Sequence, residues 1–303
     1  MDGLLVIDKP PRVTSHHVVA QARRILGERR IGHTGTLDPF ATGVLVLLVG
    51  RATRLAQFLA SAEKEYDAVI RFGFATDTGD VEGTPLGSAV ETNFGNEQLN
   101  NALRQLTGEI RQIPPMYSAK KRRGKKLYQL ARRGETVERE PVLISVRRFE
   151  PVLTSEVLLK SNADGTQDLK VHVICSAGCY VRTLAEDLGK LLGVGAHLAE
   201  LRRTHAGDFG VAGAISLGQL KQFVNESSLG TILLPMKAAL SQMHFVHLST
   251  EDARRARNGM ALRTRNDAWA EGENIALCDR DEVIGVARYK KTDELLQPRI
   301  VLT

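Results

Sequence analysis

Gly32-His33-Thr34-Gly35-Thr36-Leu37-Asp38-Pro39-Phe40-Ala41-Thr42-Gly43-Val44-Leu45 is the most informative stretch of the chain. Glycines and threonines punctuate it, and it runs into the aliphatic segment 44–49, whose length and composition read as a buried strand. A tight polar loop is therefore set against the core with one carboxylate inside it. Asp38 before Pro39 has the pattern of a helix N-cap followed by proline at the first helical position. The same carboxylate, held by the adjoining core, also fits a nucleophile or general base. No Ser/His/Asp or Cys/His signature accompanies it, and the local residues leave both readings open.

Working outward, residues 4–8 read as a short strand closed by Lys9-Pro10-Pro11. Thr14-Ser15 then caps a helix whose apolar positions Val18, Val19, Ala22, Ile25 and Leu26 recur at helical spacing before Gly27. Residues 66–72 alternate as a half-buried strand, and 142–149, 157–159 and 169–174 do the same. Helices are expected over 99–106, 127–133, 181–192 and 215–223, with a turn-rich loop over 77–87. Beyond 235–243 the pattern shifts to short strands and turns, such as 275–278 and 283–288 around Asp279-Arg280-Asp281-Glu282. The expected class is α+β: a mixed, mostly antiparallel sheet flanked by helices and loops over 1–240, plus a small β-rich domain over 245–303.

Charge is concentrated. Between 111 and 148 there are twelve Lys or Arg against three Glu, a balance of +9, so the other residues sum to −3 within the total of +6. The centre of this block is Lys120-Lys121-Arg122-Arg123-Gly124-Lys125-Lys126, which suits a polyanion or, alternatively, a solvated loop. The three cysteines form no CxxC pair, against a disulfide framework or zinc site and in favour of a reducing, cytoplasmic setting. The apolar runs are too short for a signal peptide or a membrane span. There is no GxGxxG or P-loop to hold a nucleotide cofactor.

Two further segments bear on chemistry. Asp77-Thr78-Gly79 matches the aspartic-protease tripeptide, but a single-chain protease needs two copies. Asp77, Asp80 and Glu82 lack the ligand ladder of a calcium loop, so solvated turn carboxylates are the expectation. In Cys175-Ser176-Ala177-Gly178-Cys179-Tyr180-Val181-Arg182-Thr183, Arg182 opens an amphipathic helix. It either reaches solvent or pairs with a carboxylate, for which a planar guanidinium is suited.

Taken together these segments resemble the TruB family of pseudouridine synthases over most of residues 3–210. The resemblance rests on Lys9-Pro10 with Thr14-Ser15, the whole 32–45 segment, Glu63-Lys64-Glu65-Tyr66, and Thr76-Asp77-Thr78-Gly79-Asp80 with Gly83. It continues through Pro114-Pro115-Met116-Tyr117-Ser118-Ala119, Gly124 with Leu127-Tyr128 and Ala131-Arg132, Gly178 through Arg182, and Gly195-Ala196-His197 with Leu201-Arg202-Arg203. One departure stands out: Arg12 occupies a turn position where the family usually has Gly, so a positive φ there would be strained.

The resemblance implies the pseudouridine synthase fold, Asp38 as nucleophile and Arg182 as its salt-bridge partner. It also implies Tyr66 stacking under a flipped uracil, His33 helping to displace the target nucleotide, and Tyr180 and Leu201 walling the base pocket. RNA contacts are expected from Lys9, Lys64, Lys120, Lys121, Arg122, Arg123, Lys125, Lys126, Arg132 and Arg202. The basic segment corresponds to an insertion that closes over RNA, and 245–303 to a small PUA-type RNA-binding barrel. The implied substrate is uridine 55 in the T stem-loop of tRNA, modified with no metal, cofactor, guide RNA or protein partner by a monomer. A non-catalytic tRNA-binding or folding module and a base-removing glycosylase are the competing classes.

Overall fold

Residues 4–7 and 44–49 are aliphatic and buried along their whole length, so both faces of these strands need cover. Each face finds it. Leu5, Ile7, Leu45, Leu47 and Val49 pack against Val18, Val19 and Ala22 of the first helix and against Leu220. Leu4, Val6, Val44, Val46 and Leu48 pack against Met236, Ala239 and Leu240 and, beyond them, Ala276, Val286 and Ile300.

The computed structural model describes residues 1–302 apart from 119, 123, 132, 153–157, 265 and 267. Its first half runs β1 (Gly3–Lys9), α1 (Ser15–Leu26), β2 (Ile31–His33), β3 (Thr42–Val49), α2 (Ala56–Ala60), β4 (Lys64–Phe72) and α3 (Asn96–Gln105). Next come β5 (Gly108–Gln112), β6 (Lys121–Arg122), β7 (Lys125–Lys126), α4 (Leu127–Ala131), β8 (Val142–Pro151), β9 (Leu159–Ser161) and β10 (Gln167–Cys175). The chain continues through α5 (Val181–Leu192), β11 (Ala196–Ala206), β12 (Phe209–Gly210) and α6 (Leu217–Asn225). Last are β13 (His244–His247), α7 (Thr250–Arg257), β14 (Leu262–Arg263), β15 (Asn274–Asp279), β16 (Glu282–Lys290) and β17 (Leu295–Val301).

The main sheet has the order β1-β3-β11-β4-β10-β8-β5, and every pairing in it is antiparallel except β3 with β11. A second sheet of five strands, β13-β15-β16-β17-β14, makes the small C-terminal β unit. The two share apolar packing, and Arg51 ties them further, its guanidinium donating to the Leu302 carbonyl and pairing with Asp2 and Glu282. The fold class is thus α+β with a mostly antiparallel sheet and a small second β unit. No helix among the described residues is long and apolar enough to cross a membrane.

Three differences from the sequence-based expectation have physical causes. β11 is an interior strand of the main sheet, between β3 and β4, yet two bulges, at Leu198/Glu200 and Arg203/His205, break the alternation that would have marked it as a strand. α7 falls where strands and turns are expected; its buried face consists only of Ala253 and Ala256, too small an apolar stripe to stand out. Asp38 caps no helix, because residues 34–41 carry only a single turn in which Ala41 N–H donates to the Asp38 carbonyl.

Thr14 caps α1 by accepting from His17 N–H, and the turn before it places Arg12 at φ 63°, in the left-handed region. For a residue with a Cβ that conformation costs about 1 kcal/mol, partly offset because Gly has more freedom to lose on folding. Arg12→Gly is therefore expected to leave stability unchanged or raise it by up to about 1 kcal/mol, measured as the urea midpoint. A loss would mean that the Arg12 side chain stabilises the turn.

Candidate active site

The loop 34–41 has no regular structure of its own, and four neighbours fix it. Thr34 N–H donates to the Val46 carbonyl. The Ser15 hydroxyl bridges both backbone groups of Leu37, donating to its carbonyl and accepting from its N–H at 2.9 Å. Lys9 Nζ donates to the Pro39 carbonyl at 3.1 Å and to those of Pro10 and Val13. From the other side Arg203 Nε donates to the Val44 carbonyl and Nη2 to that of Gly35. Gly43 lets β3 and β11 approach closely: at φ 98° it faces the Arg203 backbone, which a Cβ would strike.

These supports present Asp38 to Arg182. Arg182 Nε lies 2.9 Å from Asp38 Oδ2 and Nη2 lies 3.3 Å from Oδ1, a two-point contact. The guanidinium is saturated: Nη1 donates to the Thr78 carbonyl at 2.7 Å and contacts Asp80 Oδ2 at 3.3 Å, and Nη2 donates to the Tyr117 carbonyl at 2.6 Å. Asp80 is therefore not a solvated turn carboxylate. Its side chain is only 7% exposed, and it accepts from the Thr78 hydroxyl and from Glu82 N–H. The Asp38 side chain keeps 32% exposure along the cavity. Lost hydration pushes its carboxyl above the ordinary range and nearby Asp80 adds to this, while Arg182 and Lys9 pull it back.

A cavity of about 230 Å³ opens beside Asp38 and is lined by Tyr66, Tyr180, Arg182, Leu201, Lys64 and Arg203 among others. Burial pushes the Tyr66 hydroxyl up to about 12, while the Arg203 charge pulls it back. Gln112, buried at the end of β5, accepts from Tyr180 N–H at 2.8 Å and donates to its carbonyl, setting the entry to α5. Sequence pattern marks neither Gln112 nor Arg203 as a site residue, since their work is to pin backbone. A larger groove of about 790 Å³, lined by Arg12, Asp67, Lys170, Glu200 and Arg202, does not include Asp38.

Other expected residues fall elsewhere. His33 packs edge-on against His16 and does not line the cavity with Asp38. Lys9 is fully buried and Lys64 nearly so, their ammonium groups spent on backbone carbonyls, so neither offers an RNA-facing surface in this structure. Burial lowers both to about 8. Arg202 is half-exposed and bidentate to Asp8 at 2.8 and 3.1 Å. Lys120 and Lys125 are exposed beside the β6–β7 hairpin. Arg123 and Arg132, and the side chains of Lys121, Arg122 and Lys126, lie outside the described residues.

The partly exposed Asp38 carboxylate and the buried Arg182 guanidinium thus stand together at the wall of a cavity of about 230 Å³. The whole chain superposes on a chain of the solved Cbf5-Nop10-Gar1 complex with a TM-score of 0.74 at 25% identity, covering 99% of this chain and 85% of that one. It belongs to the TruB family: residues 23–181 match the TruB family pseudouridylate synthase N-terminal domain, and 182–241 the tRNA pseudouridylate synthase B C-terminal domain. It is 41% identical to the tRNA pseudouridine synthase B of Aromatoleum aromaticum over 96% of this chain and 94% of that protein. Against that of Bacillus cytotoxicus the identity is 36%, over 100% and 97%.

Asp80→Asn should keep the fold but loosen Arg182, lowering kcat by about 100-fold through misorientation of Asp38. With Asp38 acting as an ionised nucleophile, as the resemblance implies, activity in wild type should fall with decreasing pH at a value above that of an ordinary aspartate. Removing the Asp80 charge should move this acid limb downward, read from kcat against pH. An unchanged limb and rate would show that Asp80 does not act on the pair.

Proposed function

We propose that this chain converts uridine to pseudouridine at position 55 in the T-arm of tRNA, with Asp38 as the nucleophile acting on a flipped-out base. The observation that carries this reading is the Asp38–Arg182 pair at the wall of the cavity that Tyr66, Tyr180 and Leu201 line. The tRNA substrate is supported by relatives named tRNA pseudouridine synthase B that align over nearly the whole chain.

Isomerisation breaks the bond from N1 to C1′, the electron pair leaving with the uracil. The ring turns, C5 bonds to C1′, C5 gives up its proton, and N1 gains one. No net oxidation occurs. Asp38 either adds covalently to the base or the ribose, or balances cationic character at the sugar. Arg182 keeps the carboxylate ionised and aimed, which a Lys could not do at two points. Extrusion of the base costs a few kcal/mol. Stacking on Tyr66 would return about 1–3 kcal/mol of that. In this reading Tyr180 and Leu201 hold the ring, and His33, on the preceding strand, meets the RNA loop rather than the base.

The basic segment 111–148 supplies the grip on phosphates, and the C-terminal sheet a PUA-type contact to the rest of the tRNA. The chain is read as a cytoplasmic monomer that needs neither guide RNA nor protein partner.

Incubating tRNA with the protein should yield pseudouridine at the T-arm position and no free uracil. Released uracil would indicate a glycosylase, and unchanged tRNA a binding module. Asp38→Asn should bind tRNA within a few-fold of wild type and form no pseudouridine; near-wild-type turnover would remove Asp38 from the mechanism. Replacing Lys120, Lys121, Arg122 and Arg123 with neutral residues should weaken binding and flatten the plot of log affinity against log salt. The slope should change by about 0.7–0.9 for each phosphate no longer neutralised. An unchanged slope would place the segment away from the RNA.

A further inference from the structure

Lys64 and Arg203 pose a problem that the Asp38–Arg182 pair does not. They are 7% and 1% exposed, both line the Asp38 cavity, and neither makes an ion pair among the described residues. Lys64 Nζ donates to the Ala60 and Ala62 carbonyls. Arg203 donates to those of Val44 and Gly35. The two cations are close enough for Arg203 to disfavour the charge on Lys64. Three buried cations, Lys64, Arg182 and Arg203, therefore line the cavity with one partly exposed carboxylate, Asp38, while the buried Asp80 sits behind Arg182. Buried charge without a counterion costs free energy and persists only where something compensates it.

We propose that Lys64 and Arg203 form a cationic wall that stabilises the negative charge on the uracil ring while its N1–C1′ bond is broken. The inference rests on the uridine-isomerising reading above and adds a role for residues which that reading leaves as scaffolding. When the bond breaks, the electron pair passes to the uracil, delocalised over N1 and the two carbonyl oxygens. C1′ is left electron-poor on the side of Asp38. The charge is transient: it is consumed when C5 bonds to C1′. A fixed positive field in a small cavity favours that state over neutral bound uridine, which is the differential required for catalysis. Two lysine bonds to carbonyls and a guanidinium locked by β3 and β11 hold this field without reorganisation. Tyr66 lines the same cavity as both cations.

The competing account is structural, with Lys64 merely capping the carbonyls at the end of α2. A leaving-group comparison separates the two. Single-turnover loss of the original nucleoside is measured on T-arm RNA with uridine or with 5-fluorouridine at the target. Fluorine withdraws electrons, so the departing ring anion is intrinsically more stable and depends less on protein charge. Lys64→Met should slow uridine on the order of 100-fold and 5-fluorouridine by only about 10-fold or less. Lys64→Arg, which keeps the charge, should retain the wild-type ratio of the two rates. If Lys64→Met does not fold, Lys64→Gln, which keeps a donor toward the carbonyls, serves in its place. Equal losses on the two RNAs, or a loss confined to RNA affinity, would overturn the proposal. If wild type fails on the uridine RNA, the substrate reading falls and this inference with it; if wild type turns over and the losses are equal, this inference falls alone.

Discussion

A single guanidinium holds the working parts of this molecule together. Arg182 is 4% exposed and binds two carboxylates and two backbone carbonyls that come from three different loops. Isolated, a buried charge of this kind would be strongly unfavourable; with all its donors used, it becomes a fixed hub. Its position in turn is dictated by helix α5, whose face of Val181, Leu184, Ala185 and Leu188 is sunk in the main core. The precision of Asp38 is thus inherited from helix packing rather than from its own loop. That explains how a segment without secondary structure can carry a well-oriented carboxylate.

The second determinant is the join between β3 and β11. This parallel contact aligns Arg202 and Arg203 with Thr42 and Gly43, directly behind the loop that bears Asp38. A side chain at 43 would drive these strands apart, and Arg203 would then lose its hold on the Gly35 and Val44 carbonyls. The bulges in β11 do related work, since they re-aim side chains locally and leave Leu201 and Arg203 facing the cavity.

Where a physical signal is local, the sequence is readable. Thr14 and Gly27 delimit α1, the alternation of 66–72 delimits most of β4, and Gly193 ends α5 in the left-handed conformation that the chain needs there. β11 is not readable, because a strand carrying Glu200, Arg202, Arg203 and His205 and two bulges has neither the composition nor the period of one. The site divides in the same way. Asp38 and Arg182 stand out as isolated chemical groups in unusual contexts, although nothing in 144 positions of separation reveals their contact. Asp80 and Gln112 lie in ordinary-looking polar stretches, and only tertiary packing shows that one orients Arg182 and the other pins Tyr180.

The lysines make the deepest ambiguity, and burial resolves it. Lys9, Lys64, Lys120 and Lys125 are indistinguishable as letters, and each sits in a segment that resembles RNA-binding pieces of the family. In the fold the first two are withdrawn from water and spend their donors on carbonyls, whereas the last two project from a hairpin. The consequence is a separation of roles by dielectric environment. Exposed cations act on a polyanion over a range set by the ionic atmosphere, about 8–10 Å at moderate salt, and exchange counterions on binding. Buried ones are screened little by salt, cannot move, and act only on charge that arises within a few ångströms. The proposed reaction calls for both kinds, since a highly charged nucleic acid is to be held and a neutral glycosidic bond opened within it. The main sheet holds Lys9 and Lys64 inward, at the ends of β1 and β4, whereas Lys120 and Lys125 stand exposed beside the β6–β7 hairpin.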